Sequence, residues 1–215
     1  MSAVENPHRR RKEARPQELL DAALALFVEK GFAATRTEEI ALRAGVSKGT
    51  LYLYYPSKED LLEAVIAQHL SERITEGAAL AAGHSGSSIA LLRDLLTQWW
   101  TALYDSPASG VFKLVITEVR NFPDIAEYYR REVVERAQTL LGDVVRRGIA
   151  HGEFRAVDVA AAVQSLVFPL IMLCLHKHSL GACHAPGHEI DAHRFIVQHV
   201  DLLLDGLRVH PGPAA

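Results

Sequence analysis

The residues best placed to do chemistry stand between positions 35 and 62. Lys48, Gly49 and Thr50 follow Ser47, and Tyr52 and Tyr54 come one turn later. They supply a cation, a bare stretch of backbone, a hydroxyl and two phenols, a set suited to recognition and not to bond breaking. Lysine donates to guanine O6 and N7, and threonine bonds a base edge or a phosphate and meets a thymine methyl. Ser47 is the predicted N-cap of a helix that runs through Leu51 to about Tyr54. That helix is short and polar at its start, so it is not a core element. Lys58 breaks a local rule, because a cation in a first helical turn opposes the helix dipole by roughly 0.3 to 1 kcal/mol. A phosphate held between Lys58 and the free N–H groups of that turn reverses the sign.

These residues need elements to position them. Thr35 and Glu38 have the S/T-x-x-E spacing of a capping box, which predicts a helix capped by Thr35. Ile40, Ala41 and Ala44 give it a narrow buried face that a second helix can approach closely. Gly45 supplies the left-handed backbone of a tight turn, and apolar Val46 plugs the angle between the two helices. Pro56 stops the second helix, and Ser57 with Asp60 restarts the chain as a third. The unit is a helix-turn-helix, whose second helix enters the major groove of duplex DNA.

The run Gly45-Val46-Ser47-Lys48-Gly49-Thr50-Leu51-Tyr52-Leu53-Tyr54-Tyr55-Pro56-Ser57-Lys58-Glu59-Asp60-Leu61-Leu62, preceded by Thr37-Glu38-Glu39-Ile40-Ala41, resembles the DNA-binding domain of the TetR (tetracycline repressor) family of bacterial regulators. The resemblance covers about residues 16 to 66. Tyr55 departs from it, since the family more often has Phe there. The resemblance implies that Thr37, Tyr54 and Lys58 grip phosphates, while Ser47, Lys48, Gly49, Thr50 and Tyr52 face the duplex. It also implies a homodimer paired through a four-helix bundle of C-terminal helices, and an inverted-repeat operator.

Charge is distributed to match. The net charge is −3, yet residues 1–62 carry 10 Lys/Arg against 9 Asp/Glu, while residues 63–215 carry 13 against 17. Arg9, Arg10, Arg11, Lys12 and Arg15 read as a flexible basic arm over 1–15 that can reach a groove or the backbone. The polar N-terminus has no apolar run behind its charges, and two cysteines fit a reduced compartment, so a cytoplasmic protein is expected. The most apolar stretch, Val157 to Leu175, is interrupted by Asp158, Gln164, Ser165 and Pro169, which fits a buried interface helix better than a membrane span.

The expected fold is all-α. A three-helix DNA-binding domain over 16–62 leads through a connecting helix at about 57–80 into a larger ligand-binding and dimerisation domain over 63–208, with a tail at 209–215. Leu19, Leu20, Ala23, Leu24, Leu26 and Phe27 place the first helix at about 16–30. The Gly83–Ser87 break ends the connecting helix, and further helices follow at about 88–105, 108–121, 123–150, 157–179 and 189–208. The last two are the candidate dimer surface, the final one through Ile196, Val197, Val200, Leu203, Leu204 and Leu207.

Trp99, Trp100, Tyr104, Phe112, Tyr128, Phe168 and Met172, with Glu118 to orient a ligand, are candidates to line an effector pocket. Cys174, His176, His178, Cys183, His184, His188 and His193 form a second cluster, whose spacing matches no closed metal motif. No nucleophile, base and orienter set is recognisable, so an enzyme is not expected and no catalytic residue or cofactor is assigned. The reading is a repressor released from a palindromic operator by a small, largely apolar ligand. A metal-responsive regulator using the His/Cys cluster, or a helical metal-dependent hydrolase, are the alternatives.

Overall fold

The computed structural model describes residues 7–118, 120–179, 181 and 190–209. Among them the chain is a succession of helices. The first, α1, spans Pro7–Lys30, α2 spans Thr37–Arg43 and α3 spans Lys48–Tyr54. Next, α4 at Lys58–Ile66 passes through a π-helical turn at Ala67–Ser71 into α5 at Glu72–Gly83. The C-terminal half holds α6 at Ser88–Asp105, a 3-10 turn at Pro107–Gly110 and α7 at Val111–Glu118. There follow α8 at Pro123–Tyr129, a second π-helical segment at Arg130–Glu135 and α9 at Arg136–Ala150. Helices α10 at Val159–His178 and α11 at Ala192–Leu207 complete it.

Two expectations change here. Helix α1 begins at Pro7, so residues 7–15 continue the helix where a flexible arm was expected. Pro16 does not stop it. The cap of α2 also moves by one residue. Arg36 is the N-cap, and its backbone N–H donates to Glu39 Oε2 at 3.2 Å. Thr35 is buried instead, its hydroxyl donating to the Leu26 and Gly31 carbonyls at 3.2 and 2.7 Å, which anchors the loop to α1.

The N-terminal core is built from Leu19, Leu20, Ala23 and Phe27 of α1 against Ile40, Ala41, Leu51, Leu61, Leu62 and Val65. It is continuous with the C-terminal half. Phe32 stands edge-on to Phe122 at 4.7 Å, and the 3-10 turn lies directly on α1. At Gly110 a Cβ would fall 2.5 Å from Cγ2 of Val28, so only glycine permits that approach. Helix α6 starts on a dense cap: Glu153 accepts from the Ser88 and Ile89 amides at 3.0 and 3.3 Å and from the Ser87 hydroxyl at 2.6 Å. Burial pushes this carboxyl up, but the three donors prevail and hold it below its usual range.

Candidate nucleic-acid interface

Gly45, at φ +67°, makes the turn, and the Val46 amide returns to the Ala41 carbonyl at 2.9 Å. Ser47 then caps α3 by accepting from the Thr50 amide at 3.1 Å, and its hydroxyl lies 2.8 Å from that of Thr50. Leu51 has no exposure and fixes the helix to its own domain. At 100° per residue, the side of α3 opposite Leu51 is Gly49 and Leu53, flanked by Tyr52 and Thr50. Leu53 is 84% exposed, a large apolar side chain at the crest of the helix. The motif alone assigns it no contact, because a leucine near Leu51 reads as core until the helix phase is known.

The flanking residues are braced. Lys48 pairs with Glu38 of α2, which raises the lysine pKa and holds the Glu38 carboxyl below its usual range, and it lies 5.7 Å from the Tyr52 ring centroid. Tyr52 Oη lies 3.0 Å from the Thr37 hydroxyl. Thr37 is itself buried, at 9% exposure. Tyr54 packs half-buried against the core. Lys58 is placed differently from the sequence reading. Its ammonium donates to the Phe32 and Thr35 carbonyls at 2.8 and 3.0 Å and sits 4.4 Å from the Phe32 ring centroid. In the free chain this charge ties the start of α4 to the loop after α1.

The proposed effector residues do not converge. Trp100 and Phe112 stack at 5.6 Å and are buried in the core. Phe168 and Met172 of α10 are 59% and 54% exposed. Tyr104 lies under Lys177 at 4.5 Å, Tyr128 lies near Arg131 at 5.8 Å, and Glu118 stands beside Gly31. Trp99 lines a cavity of about 310 Å³ between α5, α6 and α9 with Leu80, Leu95 and Leu141. Of these aromatics Trp100 and Phe112 fill the core, where large rings bury the most area. The actual cavities are lined by residues with no special pattern along the chain.

The His/Cys cluster does not assemble among the described residues, where no group of three metal-ligating side chains is found. Cys174 is buried, which pushes its thiol up to about 12. His178 is bonded to Ser109 Oγ at 2.8 Å and His193 to Asp105 at 2.9 Å. Cys183, His184 and His188 lie outside the described residues.

A capped helix-turn-helix on an all-helical body, its second helix turned outward, defines a DNA-binding protein of the helix-turn-helix class. The family model "Bacterial regulatory proteins, tetR family" matches residues 19–65, and "Tetracyclin repressor-like, C-terminal domain" matches residues 84–182. The chain belongs to the TetR family of bacterial transcriptional regulators. It is similar to the HTH-type transcriptional repressor KstR2 of Rhodococcus jostii, 28% identical over 198 residues that cover 91% of this chain and 92% of the relative. The fold matches the fatty acid degradation regulator FadR from Bacillus halodurans, with a TM-score of 0.73, 24% identity, and coverage of 89% of this chain and 99% of that one. It also matches FadR from Bacillus subtilis, solved in complex with stearoyl-CoA, with a TM-score of 0.70, 19% identity and the same coverage.

Proposed function

We propose that the chain is a homodimeric cytoplasmic repressor that binds an inverted-repeat operator and leaves it when a small, largely apolar effector occupies the C-terminal domain. The observation that carries this reading is the exposed surface of α3, where Gly49, Thr50, Tyr52 and Leu53 form the outward side and Lys48 stands at its edge beside Glu38, on a helix locked by Leu51, Gly45 and Ser47. Phosphate contacts fall to Thr37 and Tyr54, which flank that face, and they set register without reading sequence. The name of KstR2 as a repressor supports the direction of control.

Pairing is supported by two apolar stripes. Phe168 and Met172 on α10, and Phe195 and Leu202 on α11, point away from the core, with Leu202 72% exposed. Isolated exposed leucines need no explanation, but two parallel stripes on adjacent helices do. Two copies joined there present two reading heads to one duplex. Selection of bound sequences from random duplexes tests the reading. The expected product is a single inverted-repeat motif; unenriched pools at moderate salt, with competitor DNA present, sink it.

A further inference from the structure

Around the reading helix, cations stand against carboxylates. Lys30 pairs with Glu39 and Arg43 with Glu29, both at 2.7 Å, and Lys48 pairs with Glu38. The third pair differs from the other two because its cation stands on α3 itself, while its carboxylate comes from α2. Pairing lowers the pKa of Glu38 and raises that of Lys48, so both are charged near neutrality.

The Glu38 side chain is not needed to hold the unit together. Glu39 supplies the side-chain bond at the start of α2, accepting from the Arg36 amide at 3.2 Å. Helix α3 is fixed by the cap at Ser47, by buried Leu51 and by the Tyr52 and Thr37 hydroxyls, 3.0 Å apart. Lys48 and Glu38 are 52% and 55% exposed, so the pair adds little to stability. Its effect lies in charge. Together the two side chains present no net charge at the edge of α3, and a neutral pair releases no counterion from a duplex.

Opening the pair on DNA has a consequence that depends on sequence. Once Lys48 turns to a phosphate or a guanine, the Glu38 carboxylate is left beside a polyanion. Phosphate oxygens, guanine O6 and N7 and thymine O4 are acceptors and cannot satisfy it. The donors on the major-groove edge are cytosine N4 and adenine N6.

The geometry points to Glu38 as a specificity-determining residue, which releases Lys48 to a guanine only where the half-site also offers the carboxylate a cytosine or adenine amino group. On other duplexes the carboxylate cancels the lysine. Discrimination then comes from a penalty on the wrong sequence as well as from a bond to the right one. This rests on the reading of α3 as the helix that enters the major groove.

Glu38→Gln, Glu38→Ala, Lys48→Ala and the double variant Lys48→Ala/Glu38→Gln, all as full chains, are titrated against the parent's selected operator and a scrambled duplex over a series of salt concentrations. Both Glu38 variants should melt with the parent. Glu38→Gln is expected to bind the scrambled duplex about three- to tenfold tighter, with a salt slope steeper by about one, because Lys48 is freed for phosphate. Operator affinity should rise less or fall, so the ratio between the two duplexes drops by about threefold or more. In the Lys48→Ala background the same change should leave the slope as it was. Selection repeated with Glu38→Ala, which has no acceptor, should lose the preference for cytosine or adenine at one position per half-site. An unchanged ratio, an unchanged motif, equal weakening of both duplexes, or the same gain in slope without Lys48 each overturns the proposal. Selection that depends on Lys48 but not on Glu38 sinks this inference alone. A motif indifferent to Lys48→Ala sinks the assignment of α3, and a parent that selects no duplex sinks the regulator reading.

Discussion

Lys48 and Leu53 are both exposed on α3 but stand about 140° apart around its axis, and as proposed contacts they would read different chemistry. In the proposed complex Lys48 would reach acceptors on a guanine edge, whereas Leu53 could only exclude water against a thymine methyl. The Lys48–Glu38 pair is exposed, and an exposed pair is easily given up for a base edge inside the groove. Lys48→Ala and Leu53→Ala are therefore each expected to relax preference at one base pair per half-site, at different positions, by about tenfold. Sequence selection with each variant reads this, and an unchanged motif for Lys48→Ala means that α3 is not the reading helix. Lys58 behaves otherwise. Because its ammonium is held by carbonyls of the loop after α1, Lys58→Ala is expected to lower stability by about 1 to 2 kcal/mol. The salt dependence of duplex binding should then stay nearly constant; a slope shallower by about one unit would return Lys58 to the phosphate backbone. The turn, the cap at Ser47 and the buried Leu51 were legible from type and spacing alone. The partner of Lys58 was not, since its acceptors lie 23 and 26 residues upstream and only the tertiary fold brings them near.

At the level of elements, caps and breakers located most helices, and tertiary packing decided the rest. Ser57 starts α4 as its spacing with Asp60 predicts, the Ser57 hydroxyl accepting from the Asp60 amide at 2.9 Å. The π-helical turn at Ala67–Ser71 had no sequence signal, because it reflects how α4 and α5 must be phased against α1 and α9. It carries His69, which burial holds below its usual 6.5 while Asp21 and Glu72 oppose the shift. With a depressed folded value, His69 costs nothing where both states are neutral. As pH falls below 6.5 the unfolded chain takes up the proton first, and stability declines until the folded value is passed. Melting temperatures at about pH 7.5 and 5.5 are expected to differ less in His69→Gln than in the parent chain. The contact of the 3-10 turn with α1 makes a second test of how the two halves are joined. Gly110→Ala must displace the stiff Val28 side chain, with an expected loss of about 1 to 3 kcal/mol. A variant as stable as the parent by denaturant titration means that the turn rides away from α1 at little cost.

For the whole molecule the proposed pairing of copies would decide whether a single reading head can act. The sequence marked Ile196, Val197, Val200, Leu203, Leu204 and Leu207 as one apolar surface, but the structure divides α11 into two sides. Ile196, Val200, Leu204 and Leu207 are buried in the chain's own core, and Leu203 is partly so. Phe195, His199 and Leu202 instead follow one another at i, i+4 and i+7 on another side, Phe195 and Leu202 exposed and His199 half-buried with its Nε2 3.1 Å from the Leu166 carbonyl oxygen of α10. Hydropathy sees both sides as apolar, and only the neighbours of α11 tell which one is spare. A charge at Leu204 is therefore expected to attack the fold, whereas a charge at Leu202 is expected to attack the proposed pairing. Leu202→Glu, and Phe168→Glu independently, should give a chain with unchanged helix content that sediments as a monomer at micromolar concentration. Each half-site is then held by one head alone, so affinity for the full operator should fall to that for an isolated half-site. Leu204→Glu should lose helical structure and melting cooperativity together. If the parent chain itself sediments as a monomer, or if Leu202→Glu remains a dimer with full operator affinity, the α10–α11 surface is not where copies meet.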